Sequence, residues 1–515
     1  MLTASGHLLT YGISVQVARD FIINNFEANL SLVFETCKKY AVSNDMISDI
    51  LVNDFPGLTA KVVSSYFDSN GFNSSQLDLS NINLGLGVLS NSSTFGVSAL
   101  DSGFHWDLAD SKEITYSFNT EEFGYPSDYN SYVDKSLTNG WAELNDKQTN
   151  AVRSIFDKLE DFLNVSFTEV SDSYAQSDGD IQINIVNLNQ GTSGFAFYPG
   201  NYLSYNGDIF LSSAFNSSSK DYSLDIGKSG WNAIVHELGH ALGLDHSFEG
   251  KDSTTLPIFL DDTNHTVMSY TNENNLVAEF VLASDKSISG NFPYVYSELY
   301  ALYDIAALQS IYGANTTANI EDNVYTYTYS DYKISTIWDA GGNDVIDLSL
   351  TKGSSSIDLN PGSLNSVDKY TIDEIISLHQ SSIDYSYHND WIANTINLYE
   401  TNYGLYTGKN NLGIATGTII ENVITGSGND TVIDNVVNNI IQTNAGNDSI
   451  YLGNGGFDYV NGGSGYDTIF FNLNKSSISI SDELEDGSYN LLHNDFGVNI
   501  IGIENIEFND TSLLV

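Results

Sequence analysis

The chain is poor in cysteine, in basic residues and in long apolar runs, and each shortage excludes something. A single cysteine, Cys37, among 515 residues rules out an internal disulfide, so stability must come from packing and bound cations. Lysine and arginine number 18 against 66 aspartates and glutamates, a formal charge of −48. This charge argues against nucleic acids or anionic membranes as partners. No stretch approaches the roughly 20 apolar residues of a membrane span, so we also expect no membrane insertion.

The excess of carboxylates also has a positive implication. So many like charges strain a compact state through mutual repulsion unless cations are bound between them. Calcium is the natural candidate, because this hard cation takes carboxylate and carbonyl oxygens.

The N-terminal part differs in pattern from the rest. Residues 1–75 are predicted to form a small helical module, in which Ser14 and Ser43 can cap helices. Residues 76–103 are predicted to be a linker, since the segment is rich in serine, asparagine and glycine. Met1 to Thr10 lacks the basic start, long apolar stretch and cleavage site of a signal peptide. Cys37 lies in the module and is expected to be a buried or idle thiol.

Residues 104–320 alternate between strand and helix patterns. Strands are predicted at 114–118, 165–170, 181–185 and 207–211, and helices at 148–162 and 299–312. Ser229 is expected to cap a further helix, which carries the most informative residues of the chain.

Those residues are His236-Glu237-Leu238-Gly239-His240-Ala241-Leu242-Gly243-Leu244-Asp245-His246. On a helix, His236 and His240 are four residues apart and lie on one face. Gly243 can take a positive φ, end the helix and bring His246 back towards the other two imidazoles.

This arrangement predicts one catalytic zinc ion. Three neutral imidazoles with an open fourth position are typical of a catalytic zinc rather than of a closed structural site. Glu237 is expected beside the ion, where a general base for a water molecule belongs. The competing interpretation is a surface helix with incidental histidines.

A second segment, His265-Thr266-Val267-Met268-Ser269-Tyr270, contains one of only three methionines. Together with the histidine motif it resembles the metzincin metalloproteases, whose extended zinc motif is followed by a methionine-containing turn. Met-Ser-Tyr is similar to the serralysin branch in particular. The resemblance implies that Met268 forms an apolar floor under the histidines, and that Tyr270 is a displaceable zinc ligand that later hydrogen-bonds the oxyanion. A tyrosine packed in the loop is the alternative, and His265 is expected to be a solvated turn residue.

A further segment resembles the serralysin edge strand, which pairs with an extended substrate. Its residues are Gly194, Phe195, Ala196, Phe197 and Tyr198. The proline that follows suits an edge strand, and peptide addition to such an edge gives affinity through main-chain hydrogen bonds. A buried core strand is the alternative.

Glycines and Asn-Asp pairs recur at nine-residue spacing in residues 321–515, the period of a parallel β-roll. In each unit, glycines permit a turn that aims carbonyls at a cation, and an aspartate adds a carboxylate. The apolar residue two positions later is expected to point into the roll. The predicted calcium residues are Gly426, Gly428, Asp430, Gly446, Asp448, Asp458, Gly463, Gly465 and Asp467. Asn439 stands where another aspartate is expected, and Thr443-Asn444 stands where two glycines are expected. The alternative is a disordered Gly/Asn linker.

Four more residues are similar to serralysin positions that bind calcium between the catalytic domain and the roll: Asp339, Gly341, Asp344 and Glu421. The resemblance as a whole implies an α+β chain, with a metzincin domain at 104–320 followed by an all-β parallel β-roll at 321–515.

The resemblance implies a secreted zinc endopeptidase with one catalytic Zn²⁺ and several structural Ca²⁺ ions, which acts on protein or peptide substrates. It also implies export by a type I secretion apparatus that reads the C-terminus, Asn509 to Val515. Two other functions remain open: a dedicated processing protease for one surface-layer or adhesin partner, and a calcium-binding surface protein with an idle site. The helical module is an inhibitory, targeting or docking element in these schemes.

Overall fold

The computed structural model describes residues 97–515 apart from 109–110, 121–139, 172–178, 190, 201–204, 218–221, 250–254, 257–259, 273–274, 329–330, 384–385 and 486. The predicted helical module, Cys37 and most of the predicted linker lie outside the described residues. Within them, no helix is both long enough and apolar enough to cross a bilayer.

The first half is built on a five-stranded sheet. Its strands are β1 (Glu113–Phe118), β2 (Ser166–Glu169), β3 (Ile181–Val186), β4 (Gly194–Ala196) and β5 (Ile209–Ser212). Their order is β2-β1-β3-β5-β4, and β4 at the edge is the one strand of this set that pairs antiparallel. The predicted strands are thereby confirmed, with bounds shifted by one or two residues.

Helix α1 (Asp146–Glu160) packs against this sheet. Asn145 caps it by accepting hydrogen bonds from the N–H groups of Lys147 and Gln148, and the Gln148 side chain returns a bond to the cap. Its apolar face is fully buried, and Phe156 stacks on Tyr116 of β1 with the ring centroids 4.1 Å apart.

Helix α2 (Ser229–Ala241) carries the first two histidines. The expectation that Ser229 caps it is wrong, because Lys228 occupies the cap position and offers no side-chain bond. A backbone group takes over: the carbonyl of Ser223 accepts the N–H of Trp231 at 3.1 Å. Helix α3 (Leu302–Tyr312) follows and ends at Gly313, whose φ is 84°.

Two further elements were not predicted. A hairpin of β6 (Glu279–Leu282) and β7 (Ile288–Asn291) comes before α3. A helix pair, α4 (Ile372–Ser382) and α5 (Asn389–Tyr403), interrupts the strands of the second half.

The second half is a roll of two facing sheets. Its strands are β8 (Val324–Thr328), β9 (Ser335–Ile337), β10 (Val345–Leu350), β11 (Ser354–Asp358), β12 (Leu364–Lys369), β13 (Leu412–Ile414), β14 (Asn422–Ile424), β15 (Thr431–Ile433), β16 (Ile440–Gln442), β17 (Ser449–Leu452), β18 (Phe457–Asn461), β19 (Thr468–Phe471), β20 (Ser479–Ile480), β21 (Tyr489–Leu492), β22 (Gly497–Ile501), β23 (Asn505–Glu507) and β24 (Ser512–Leu514). One sheet has the order β20-β21-β22-β18-β16-β14-β10-β8, the other β24-β23-β19-β17-β15-β11-β12-β13-β9.

Successive repeats alternate between the two sheets, and neighbouring strands within the repeats are parallel. The apolar residue two positions after each repeat aspartate has no exposed surface: Val432, Ile450, Val460 and Ile469. The predicted β-roll is confirmed.

Candidate active site and cation sites

The three motif histidines converge on one point. His246 Nε2 lies 3.3 Å from His236 Nε2 and 3.1 Å from His240 Nε2. A tetrahedral zinc ion at about 2.0–2.1 Å from each nitrogen would separate the nitrogens by about 3.3–3.4 Å. The side chains therefore fit a zinc ion without rearrangement.

The Nδ1 atoms of His236 and His240, which face away from the point of convergence, each donate a hydrogen bond to a backbone carbonyl. His236 Nδ1 donates to the carbonyl of Val267 at 2.7 Å, and His240 Nδ1 donates to that of Leu244 at 2.8 Å. Because carbonyl oxygens only accept, the proton of both rings is on Nδ1 and the lone pair is on Nε2, towards the shared point. Burial lowers the pKa of His236 to about 4 and that of His240 to about 3, which keeps both rings neutral.

His246 is held by a carboxylate instead. Its Nδ1 lies 2.8 Å from Oε2 of Glu249, three residues later. An anion at this position raises the basicity of a ligand histidine and fixes its tautomer. Sequence reasoning missed Glu249, although the spacing of three residues after the last histidine was available as a signal.

The methionine turn lies directly beneath the histidines. Met268 is fully buried, and a Cβ atom at Gly239 would come within 2.6 Å of the Met268 sulfur. The glycine between His236 and His240 thus leaves room for the thioether against the helix. This is the location expected for Met268 in the sequence.

Asp304 of α3 anchors the turn and was not predicted as a site residue. Its Oδ1 accepts from the Thr266 hydroxyl at 2.5 Å, and its Oδ2 accepts from the N–H groups of Val267 at 2.8 Å and Ala301 at 2.9 Å. The Val267 peptide therefore links this buried carboxylate to His236. A lone aspartate within an apolar helix was the signal for it.

Glu237 is buried beside the histidines against the edge strand. A Cβ atom at Gly194 would lie 2.8 Å from Cγ and 3.0 Å from Oε1 of Glu237, so the glycine makes space for this side chain. Burial raises the pKa of Glu237 to about 8 when no cation is near. A bound dication would act in the opposite direction.

Tyr270 reaches the same point from the turn. Its hydroxyl lies 2.8 Å from His246 Nε2, and the residue is 66% exposed. The ring leans on Phe248, with the centroids 5.0 Å apart. An exposed tyrosine with its hydroxyl at the shared point can move out into solvent without breaking a core contact.

The predicted substrate strand is shorter than expected. β4 spans Gly194 to Ala196, including Phe195, while the N–H of Phe197 and the carbonyl of Tyr198 bond inward to Asp208 and Gly207. Since Ser193 also bonds inward, the backbone groups of Gly194 and Ala196 point away from β5.

Tyr198 lies beyond the end of β4, and its side chain contacts the loop that carries the third histidine. Its hydroxyl donates to Asp245 Oδ1 at 2.8 Å, and the same oxygen accepts the N–H of His246 at 2.9 Å. Its ring lies edge-on to His240 with the centroids 5.7 Å apart. Tyr198 thus links the edge strand to the loop that carries the third histidine.

The expectation that His265 is solvated is wrong. Its ring is buried, its Nδ1 lies 2.8 Å from Oδ1 of Asp262, and it stacks on Tyr303. The neighbouring residues in the sequence are polar and suggested an exposed turn, but helix α3 packs over that turn.

Three repeat aspartates form a column at the start of neighbouring strands. The N–H of Asp430 donates to Asp448 Oδ1 at 2.7 Å, that of Asp448 to Asp467 Oδ1 at 2.9 Å, and that of Asp467 to Glu504 Oε2 at 2.7 Å. The second carboxylate oxygen of each aspartate, Oδ2, is buried and has no hydrogen-bond partner. Buried polar atoms are nearly always paired, so a cation is the partner these oxygens fit.

A second column lies on the other sheet. Asp344 N–H donates to Glu421 Oε2 at 2.8 Å, and Asp458 Oδ1 accepts from Asn439 N–H at 2.8 Å. Oδ2 of Asp344 and Oδ2 of Asp458 are again buried and unpaired. Asp339 differs, because its Oδ2 already accepts from the Tyr325 hydroxyl at 2.6 Å and its Oδ1 from the N–H of Gly341 at 2.9 Å.

The repeat glycines bring the turns of the roll into contact. A Cβ atom at Gly446 would lie 1.9 Å from the carbonyl oxygen of Gly428, and one at Gly465 would lie 1.5 Å from that of Gly446. Both glycines also have φ near +140°. Carbonyls of one turn therefore face the next turn. Gly426 and Gly463 lie in the same set of turns.

The turn at 435–439, which lacks the repeat glycines and aspartate, is closed by amides instead. Asn435 Nδ2 donates to the carbonyls of Leu359 at 3.0 Å and Ile420 at 2.8 Å. Asn439 Nδ2 donates to the carbonyl of Glu421 at 2.8 Å and to Asn435 Oδ1 at 3.0 Å. These NH₂ groups bond carbonyl oxygens of neighbouring turns, where a cation would stand in a turn with the repeat aspartate.

Comparisons with known proteins agree with this architecture. Residues 132–273 match the family model described as Matrixin, and residues 301–384 and 378–511 match the model described as Peptidase M10 serralysin C terminal. The chain is 31% identical to a serralysin of Proteus mirabilis over 282 residues, 50% of this chain and 53% of that protein. It is 28% identical to metallopeptidase AprA of Pseudomonas marginalis over 276 residues, with 50% and 54% coverage. The chain thus spans about half the length of the curated relatives it matches.

The five-stranded sheet, the three-histidine helix and loop, and the methionine turn define a metzincin domain. The chain therefore combines a Matrixin-type catalytic domain with a serralysin C-terminal domain, the arrangement that its serralysin relatives support.

Proposed function

We propose that the chain is a secreted, calcium-dependent zinc endopeptidase. The observation that carries the proposal is the convergence of three lone-pair nitrogens beside one buried carboxylate, next to an open strand edge. A zinc ion held by His236, His240 and His246 supplies Lewis acidity, which polarises a peptide carbonyl and makes a water molecule more acidic.

In this proposal, protein side chains and backbone groups carry out substrate binding, proton transfer and oxyanion stabilisation. An extended peptide adds to β4 through the outward backbone groups of Gly194 and Ala196. Glu237, within reach of a carbonyl bound there, accepts a proton from the attacking water and passes it to the leaving amine. Tyr270 moves from its resting position and donates a hydrogen bond to the developing oxyanion.

Calcium serves the roll in this proposal. Asp430, Asp448, Asp458, Asp467 and Asp344 each contribute a carboxylate whose free oxygen needs a cation. Such a domain stays unfolded where calcium is scarce and folds where it is plentiful, because binding free energy becomes folding free energy. Export by a type I apparatus, which would read Asn509 to Val515, fits this order of events. Comparing export from a host with and without the apparatus tests this part.

Replacing Glu237 with glutamine tests the activity. The variant keeps the shape of the side chain and the three histidines, but it cannot accept a proton. We expect unchanged zinc content by metal analysis and a fall in kcat of at least about 10²-fold on a peptide library. Normal cleavage by Glu237→Gln would contradict the mechanism.

The peptide-library assay also distinguishes the proposed endopeptidase from the two other candidate functions. A wild-type chain, loaded with zinc and calcium, that cleaves no library peptide and no unfolded protein would favour the idle surface protein. Cleavage of one partner with no activity on the library would favour the dedicated processing protease.

A further inference from the structure

The hairpin β6–β7 and the helix pair α4–α5 form a unit that we call the flanking subdomain. The hairpin lies in residues 274–300, between the matches to the two family models, whereas the helix pair lies inside the serralysin match. These two segments are far apart in the sequence but pack on each other.

Their contact is a separate apolar core. Its buried members are Leu276, Ala278, Ile383, Ile392, Ile396 and Leu405. Phe292 of the hairpin region stacks on Tyr399 of α5 with the centroids 3.6 Å apart, and Phe280 lies edge-on to Trp391 at 5.7 Å. This core packs the hairpin and the helix pair together.

The subdomain is fixed to the loop that carries the methionine turn. Asn275 Nδ2 donates to Asn264 Oδ1 at 2.7 Å and to Thr263 Oγ1 at 3.1 Å, and Asn264 Nδ2 donates to the carbonyl of Lys409 at 3.3 Å. Seven residues separate Tyr270 from Val277, so at about 3.3–3.6 Å per residue the base of the subdomain lies within about 25 Å of the tyrosine. An extended peptide of about eight residues covers that distance.

A cavity of about 190 Å³ opens at this base. Val277, Val367, Ile375, Leu378 and Tyr406 supply apolar walls, and Asp368 supplies a carboxylate. This volume suits one bulky side chain rather than a cofactor, since cofactor and drug sites have about 300–1,000 Å³.

Charge and exposure favour a cationic polypeptide as the occupant. Over residues 276–296 and 370–404 the one lysine, Lys286, is outnumbered by the acidic residues Glu279, Asp285, Asp373, Glu374, Asp390 and Glu400, while Lys333 and Lys369 adjoin residues of the cavity lining. The outer surface also presents Val281, 63% exposed, and Trp391, 42% exposed.

We propose that the flanking subdomain is a second binding site for the polypeptide substrate, which takes a bulky side chain of a basic stretch into the cavity. The proposal rests on the proposed function, because the substrate chain that crosses the histidine site is the one that reaches the subdomain. Substrates with about eight or more residues beyond the scissile bond are long enough to reach the site.

The test uses the full chain carrying Glu237→Gln, loaded with zinc and calcium, so that binding is measured without turnover. The probes are reduced, alkylated lysozyme, a basic unfolded chain, and α-casein, an acidic one. Ser382→Arg places a cation at the cavity rim, and Ser381→Arg places the same charge on the neighbouring exposed position, which does not line the cavity.

We expect Ser382→Arg to weaken the affinity for the basic chain at least about fivefold, Trp391→Ala to weaken it less, and Ser381→Arg to leave it unchanged. Hydrolysis of a six-residue peptide by chains with Glu237 intact should be the same with either arginine. Equal affinities in Ser382→Arg and Ser381→Arg, or tighter binding of α-casein, would overturn the proposal. Loss of peptide hydrolysis in the parent chain with binding intact would refute the proposed activity and leave the binding site standing.

Discussion

The histidine site and the aspartate columns of the roll prepare for a metal ion in opposite ways. In the histidine site the ring of His236 is already oriented: its Nδ1 donates to the Val267 carbonyl, and its Nε2 faces the point where the three histidines converge. In the roll, five aspartates instead leave a buried oxygen with no partner. The first site is preformed by the fold, and we expect the second to complete the fold only when a cation binds.

The difference follows from the charge of the ligands. Neutral imidazoles can be buried close together at moderate cost, provided each Nδ1 has an acceptor. Carboxylates stacked on neighbouring strands repel each other and lose hydration, and both effects disfavour the folded roll. We therefore expect calcium to govern stability and zinc to govern activity.

Removing calcium gives the largest predicted effect. A buried carboxylate without its partner costs about 3–5 kcal/mol, and several of them exceed the roughly 5–15 kcal/mol that stabilises a domain. At pH 8 in a calcium-selective chelator, hydrogen exchange should become fast throughout β14 to β19. Retained protection in these strands would contradict this account. Removing zinc alone should leave their exchange unchanged, which is the control.

The pH dependence of the roll should change sign with calcium. Without a cation, burial raises the pKa of Asp430 and Asp458 to about 7 and that of Asp467 to about 6. The folded state then binds more protons than the unfolded state, whose carboxyls titrate near 4, so stability rises as pH falls from 8 to 5. The expected gain is on the order of 2–3 kcal/mol for each of Asp430 and Asp458 and about 1 kcal/mol for Asp467.

With calcium present the order reverses, because protons compete with the ion for the same oxygens and stability falls over this range. At pH 5, 6, 7 and 8, denaturant unfolding in calcium and the folded fraction of the roll in chelator, followed by circular dichroism, measure the two slopes. Parallel slopes would show that these aspartates do not bind the cation.

Asp304→Asn should weaken the preformed histidine site. The amide oxygen can still accept from the N–H groups of Val267 and Ala301, but without the negative charge, and the Thr266 hydroxyl can no longer donate to the position that the NH₂ group takes. We expect about 2–3 kcal/mol less stability of the catalytic half and weaker zinc binding through the Val267–His236 link. Zinc affinity measured by competition with a chromophoric chelator checks this. A loss of stability with unchanged zinc affinity would limit Asp304 to a packing role.

The zinc motif and the roll could be predicted because their information is local. Helical spacing relates His236 to His240, and the nine-residue period relates each repeat aspartate to its turn. The roles of Tyr198, Asp304 and Glu249 were not predicted, since each depends on a partner that only the folded chain brings near. The flanking subdomain was missed for the same reason: neither the hairpin nor the helix pair buries an apolar face until the other is present.

The smallest predicted effect on stability comes from a comparison of two turns within the roll. Asn439→Ala removes two amide bonds, to Glu421 and Asn435, from the turn that uses no cation. Asp448→Ala removes a carboxylate whose free oxygen needs one. We expect Asn439→Ala to lower the free energy of unfolding by about 1–2 kcal/mol without changing the number of bound calcium ions or their affinity. Asp448→Ala should weaken calcium binding in a titration. If Asn439→Ala also reduces the calcium count, the amides do not replace an ion and the turn at 435–439 is a cation site like its neighbours.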